Sequence, residues 1–247
     1  MSRFVIGDVH GQYDGLMLLL DEINPQFDDQ LFFLGDLIDR GPQSAEVVTW
    51  VMQSGHACLK GNHEQMCLEA HNASEASMLW QGWIINGGSR TLDSYGENGI
   101  PNEHLRWMNH LPLYLDLGDA WLVHAGLDPH LSIEDQGALE FCWIREPFHS
   151  STQPYFAQKT IITGHTITFV FPGVQPGQIA QGAGWLDIDT GAYHPKSGWL
   201  TALDLDHSMV YQANVYTQSV RKLPLQDITV PIDSVSKSGK KRIWERF

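Results

Sequence analysis

The run Gly35-Asp36-Leu37-Ile38-Asp39-Arg40-Gly41 constrains this chain more than any other stretch. It sets two carboxylates and a guanidinium between glycines, directly after the apolar run Leu31-Phe32-Phe33-Leu34. A buried strand ending in charged groups must deliver them to a metal, a phosphate or each other, because isolated buried charge is costly. The pattern recurs on either side. Phe4-Val5-Ile6 runs into Gly7-Asp8-Val9-His10-Gly11, and Ala57-Cys58-Leu59 precedes Gly61-Asn62-His63-Glu64. Three such loops place a polar site at the carboxyl ends of neighbouring strands.

Periodicity supplies the elements around those loops. Leu16, Leu19, Leu20 and Ile23 are spaced for a helix over Tyr13 to Ile23, stopped by Asn24-Pro25. Ser44 is an expected N-cap for a second helix that ends near Ser54-Gly55. A third should run from about His63 to Ala70. Strands are expected over 3–6, 30–34 and 56–59, so the first part reads as an α/β sheet. Residues 72–110 read as a mainly helical insertion beside the site, with Trp80, Trp83 and Trp107 as core or as a lid. Strand patterns return over 113–117, 120–123, 160–163, 185–188, 199–205 and 209–213, with a hairpin signal at Gly118-Asp119. The short turns of this half suggest a second, more antiparallel sheet, giving a two-sheet core with helices outside.

A net charge of −14 over 247 residues argues against nucleic acid as a partner. No apolar run is long enough for a membrane span, and Met1-Ser2-Arg3 leads straight into a strand, so a cytoplasmic protein is expected. Cys58, Cys67 and Cys142 have no metal-ligand spacing and read as buried free thiols. Residues 1–235 form one expected domain. Residues 236–247 are a basic tail carrying Lys237, Lys240, Lys241, Arg242 and Arg246 against Glu245.

Six candidate metal ligands sit at expected strand ends: Asp8, His10, Asp36, Asn62, His124 and His165. Carboxylate, amide oxygen and imidazole together suit Mn, Fe or Zn. Six are too many for one ion that keeps open positions, but they suit two divalent ions sharing one carboxylate, here Asp36.

Several blocks resemble the calcineurin-like metallophosphoesterases, specifically the phosphoprotein phosphatase branch. They are Gly7-Asp8-Val9-His10-Gly11, Gly35 to Gly41, Gly61-Asn62-His63-Glu64, His124 and Gly164-His165-Thr166. Asn86-Gly87-Gly88, Trp143-Ile144-Arg145-Glu146 and Ile188-Asp189-Thr190-Gly191-Ala192 resemble the small bacterial and bacteriophage members. The resemblance implies an α/β fold in four αββα layers: a two-sheet β-sandwich flanked by helices, with the helical insertion added. It also implies two divalent metal ions, one held by Asp8, His10 and Asp36, the other by Asp36, Asn62, His124 and His165. Mn is the first expectation, with Fe or Zn as alternatives.

The implied reaction is direct attack on phosphorus by a hydroxide bridging the ions. Arg40, Arg145 and Asn62 would bind the substrate phosphate. His63 would be the acid for the leaving group, with Asp39 orienting its ring. Glu64 is expected to act behind the ligands or at the helix start. The implied substrate is a phosphoprotein bearing phospho-Ser or phospho-Thr, with Tyr open. Alternatives are symmetrical diadenosine tetraphosphate, small phosphate esters, or a silent binding module. Relatives that cleave the dinucleotide tend to lack the acid at Asp39 and often carry Asp where this chain has Glu64. Tyr193 and His194 depart from the small residues that relatives often have there.

Overall fold

Val5 and Leu203 face each other across a strand pair deep in the molecule, and the layers build outward from there. The computed structural model describes residues 1–232, so the basic tail at 236–247 lies outside the described residues. The strands are β1 (Arg3–Ile6), β2 (Gln30–Phe33), β3 (Ala57–Cys58), β4 (Tyr114–Asp116), β5 (Ala120–Val123) and β6 (Thr160–Thr163). They continue as β7 (Ile179–Gly182), β8 (Trp185–Asp187), β9 (Trp199–Asp204), β10 (Met209–Asn214), β11 (Val220–Pro224) and β12 (Thr229–Pro231). The first sheet has the order β11-β10-β9-β1-β2-β3, and the second β12-β7-β8-β6-β5-β4.

Strand alternation sorts the side chains into three cores. Val5, Phe32 and Leu203 of the first sheet meet Leu122, Ile162 and Leu186 of the second between the sheets. On the outer face of the first sheet, Phe4, Ile6 and Phe33 pack on Leu16 and Leu19 of α1 (Tyr13–Ile23) and Val47 and Val48 of α2 (Ser44–Ser54). On the outer face of the second, Trp121, Ile161 and Trp185 lie under Phe141 of α7 (Ala138–Trp143) and the loop residues Phe148 and Phe171. The result is the αββα sandwich, its fourth layer made as much of aromatic loop residues as of helix. Full burial of one such aliphatic or aromatic side chain is worth about 1.5–3 kcal/mol.

The second half differs from its expected arrangement. β9, β10 and β11 form an antiparallel meander that joins the first sheet, with Val5 opposite Leu203. β1 is central and buried, so its second edge needs a ladder partner, and β9 supplies it. The second sheet is mixed: β5, β6 and β8 run parallel, as do β7 and β12, while β4 and β7 pair antiparallel to β5 and β8.

The helix ends follow their sequence signals. Asn24 (φ 48°) and Gly55 (φ 70°) take the left-handed backbone that closes α1 and α2. Ser44 is not the N-cap. It is the first helical residue, and its hydroxyl instead accepts from the Asp39 amide at 3.1 Å. Over residues 72–110 the helices α4 (Met78–Trp83), α5 (Ser89–Tyr95) and α6 (Asn102–Asn109) follow α3 (Asn62–His71). Ser77 caps α4 by accepting from the Trp80 amide, and Trp83 is fully buried. A last short helix, α8 (Leu225–Ile228), leads into β12. No helix among the described residues is long and apolar enough to cross a membrane.

Candidate metal and phosphate site

The parallel strands of both sheets end at one place. The loops after β1, β2 and β3 bring Asp8 and His10, Asp36 to Arg40, and Asn62 to Glu64; those after β5 and β6 bring His124 and His165. Backbone bonds lace the loops together: the amides of Val9 and His10 donate to the Asp36 carbonyl, and that of Gly11 to the Leu37 carbonyl. Glu64 ties in the third loop. Its carboxylate accepts from the amides of Asp36 (2.9 Å), Leu37 (2.8 Å) and Gly61 (2.8 Å). This is the supporting, helix-start position expected of Glu64. Burial, then the nearby Asp36, pushes its carboxyl up to about 7.

The lacing forces backbone strain. His10 (φ 47°), Asp36 (φ 49°), Asp39 (φ 71°), Arg40 (φ 68°) and His165 (φ 68°) all take left-handed conformations that non-glycine residues seldom adopt. Close approach also demands glycine at 164, where a Cβ would meet Asp8 Oδ1 at 2.0 Å.

Asp36 is the centre. Its Oδ1 lies 3.4 Å from His124 Nε2, and its Oδ2 lies 3.6 Å from His10 Nε2 and 3.9 Å from His63 Nε2. Donor atoms converge in two groups that share it: His10, Asp36 and His63, and Asp36, His124 and His165, each within 4.8 Å. The Asn62 amide oxygen joins the second group, 3.0 Å from His124 Nε2 and 2.8 Å from His165 Nδ1. Asp8 stands apart from both groups: its carboxylate accepts from the His165 amide at 3.1 Å. His63, expected only as an acid, lies among the first group's donors.

The donor set fits divalent cations. His10 and His124 each turn Nδ1 to a backbone carbonyl, Ile38 and Leu34 respectively, both at 2.9 Å. Donation there leaves the Nε2 lone pairs facing Asp36, the arrangement that orients a metal-binding imidazole. Burial pushes both rings, and that of His165, down towards the neutral form a ligand needs. Burial opposes ionisation of Asp36, but His124, His63 and His10 outweigh it and hold the carboxylate below its usual range. Asp8 is pushed well up by burial, then by Asp189, Asp36 and Asp187. So many buried acids leave the centre short of positive charge.

Asp187 and Asp189, at and just beyond the end of β8, had no role in the sequence reading. Asp187 accepts from the Asp189 amide and Asp189 from the Gly191 amide, both at 3.0 Å. Burial pushes Asp189 up to about 6. The Ile188 to Ala192 block was the signal for Asp189, and Asp187 stood out only as an acid in the expected strand over 185–188.

Beside the donors, His63 Nδ1 meets Asp39 Oδ2 at 2.6 Å. α4 and α5 fix Asp39: Thr91 Oγ1 donates to its Oδ1 at 2.6 Å, and Trp83 Nε1 donates to its Oδ2 at 3.0 Å. Nothing in the sequence singled out Thr91. Arg40, Asn62, His63, Arg145 and His165 line one pocket of about 430 Å³, walled elsewhere by Ile85, Trp143, Phe169 and Tyr193. Burial lowers Arg145 from its ordinary value.

Comparison with known proteins places this centre. The family model described as calcineurin-like phosphoesterase matches residues 1–190. The chain belongs to that family. Serine/threonine-protein phosphatase 2 of Escherichia coli (strain K12) is 34% identical over 80% of this chain and 90% of its own length. Serine/threonine-protein phosphatase 1 of Salmonella typhimurium is 41% identical, over 34% of this chain and 38% of its own. A symmetrical bis(5'-nucleosyl)-tetraphosphatase of Methylobacillus flagellatus is 34% identical over 54% and 46%. The matches to the last two thus span less than half of those proteins. A protein serine/threonine phosphatase from Saccharomyces cerevisiae has the same fold, with a TM-score of 0.57 at 18% identity over 87% of this chain and 73% of that one. The chain is thus a member of a phosphoesterase family that uses divalent metal ions.

Proposed function

We propose that this phosphoesterase removes single phosphates from phosphorylated Ser or Thr in proteins, with phosphotyrosine as a further substrate. The observation that carries the reading is the Asp39–His63 contact at 2.6 Å, beside the pocket that holds Arg40 and Arg145. A serine or threonine alkoxide is a poor leaving group and needs a proton as the P–O bond breaks. A phosphate leaving group, with a second pKa near 6, needs none. An ordered acid dyad is therefore of most use for an alcohol ester. Two arginines and no lysine line the pocket, which suits one phosphate better than a chain of four.

The roles follow from the atoms. Arg40 and Arg145 hold the phosphate oxygens, with the Asn62 amide beside them. Asp39 accepts from His63 Nδ1 and fixes the ring, so that His63 Nε2 is placed to hand a proton to the departing oxygen. His10, Asp36, Asn62, His124 and His165, with Asp8 behind them, would hold two divalent ions, with Mn first and Fe or Zn as alternatives. Bound there, such ions supply Lewis acidity and a water activated at neutral pH.

The test is hydrolysis of phosphoseryl, phosphothreonyl and phosphotyrosyl peptides against diadenosine tetraphosphate, with Mn²⁺ present. Higher kcat/KM on the peptides is expected. Preference for the dinucleotide, which the Methylobacillus match keeps as the second reading, would overturn the proposal.

A further inference from the structure

Arg40 is held in two ways, and only one is compatible with a loaded metal centre. Its Nη1 donates to His10 Nε2 at 3.2 Å. His10 Nδ1 is already committed to the Ile38 carbonyl, so Nε2 offers a single lone pair. A cation bound by His10 takes that lone pair, and the hydrogen bond from Arg40 is lost. The other support is the Tyr193 ring, whose centroid lies 4.2 Å from the Arg40 guanidinium carbon. A π face attracts a guanidinium without using any metal ligand.

Tyr193 is built to do this. It lies between β8 and β9 in a loop closed on itself: the amides of His194 and Gly198 both donate to the Gly191 carbonyl, and Ser197 Oγ donates to the Thr190 carbonyl. Tyr216 Oη donates to the Tyr193 carbonyl, so that bond does not depend on the Tyr193 side chain. The ring stands edge-on to His10 (4.9 Å, 84°), and His10 edge-on to His63 (4.7 Å, 83°). One side chain therefore touches both the phosphate arm and a candidate ligand.

We infer that Tyr193 is a positioning residue: its ring holds Arg40 at the phosphate subsite once His10 is engaged by metal. The inference rests on the reading of Arg40 as a phosphate-binding side chain, but not on which ester is cleaved.

The experiment is titration of inorganic phosphate into the Mn²⁺-loaded protein by calorimetry, with metal content measured alongside. Tyr193→Leu should weaken phosphate binding roughly tenfold with metal content unchanged, since a partly desolvated cation–π contact is of that size. Tyr193→Phe should stay within about twofold of the parent, because the ring and not the hydroxyl makes the contact. In an Arg40→Ala background, Tyr193→Leu should cost nothing further. In steady state, Tyr193→Leu should raise KM more than it lowers kcat.

Unchanged affinity in Tyr193→Leu overturns the inference. So does an equal loss in Tyr193→Phe, which would assign the effect to the hydroxyl, or loss of metal in Tyr193→Leu, which would make the ring packing for His10. Failure of the substrate reading shows elsewhere, in the peptide-to-dinucleotide preference of the unmodified protein. A parent protein that binds no phosphate overturns the shared premise about Arg40 and the inference with it.

Discussion

A single histidine carries most of what can be tested at the scale of one residue. His63 faces Asp36 with one nitrogen and Asp39 with the other, at 3.9 and 2.6 Å. If its task is to protonate the leaving oxygen, its loss should hurt poor leaving groups most. His63→Asn is expected to lower kcat on a phosphoseryl peptide by about 10²–10⁴-fold. The loss on p-nitrophenyl phosphate, whose phenolate departs readily, should be much smaller. Metal content, measured by atomic absorption, should hold. An equal loss on both substrates with metal depleted would make His63 a ligand, consistent with its place among the first donor group. Asp39→Asn should be milder, about tenfold in kcat, because the amide oxygen can still accept from Nδ1 but the hydrogen bond is no longer charge-assisted. Thr91 and Trp83 would then face an uncharged partner.

At the scale of elements, the strand-end loops carry the site, and their glycines are tests of how tightly they close. Gly164→Ala sets a methyl group 2.0 Å from Asp8 Oδ1, where backbone and a buried acid leave no room. It should lower both the melting temperature and Mn²⁺ affinity, read by thermal shift with and without metal. Gly82→Ala in α4 meets nothing within 4 Å and should raise stability by about 0.5–1 kcal/mol. The contrast separates crowding from a general intolerance of alanine. These loops were legible in the sequence because each joins an apolar strand to glycine and polar ligands, a pattern that packing alone does not produce. β7, β11 and β12 were not. β7 ends in glycine, β11 mixes Arg221 and Lys222 into an edge strand, and β12 is three residues long, so their partners define them more than their composition does. The sheet to which β9 belongs was hidden for the same reason: its apolar pattern marks a strand, but not that it lies between β10 and β1. The proximity of Thr91 to Asp39 is likewise a tertiary fact, joining residues 52 apart.

Across the whole molecule, charge is divided between two ends. At one, the buried acids Asp8, Asp36, Asp187 and Asp189 crowd together, and cations that bind only the folded chain should stabilise it. Chelation is expected to lower the melting temperature, with recovery on adding Mn²⁺. At the opposite end, Arg3 at the start of β1 closes the sandwich. Its guanidinium donates to Asp119 in the β4–β5 turn of the second sheet, at 2.6 and 2.9 Å, and to Asp206 in the β9–β10 turn of the first, at 2.7 Å. The hydrogen bond from Arg3 holds the Asp119 carboxyl at about 2, below its unfolded value near 3.9. The folded state therefore favours the ionised acid. That contribution is fully present above about pH 4 and is lost as pH falls through about 2. Asp119 is largely exposed, so solvent screening keeps the effect small. Arg3→Met should lower the melting temperature by about 1–3 °C at pH 7 while leaving kcat and KM alone. The gap between variant and parent should shrink in high salt and close below pH 2. A gap that persists unchanged in acid would mean that the arginine stem packs against the strand ends, and that the two sheets are held there by apolar contact instead of charge.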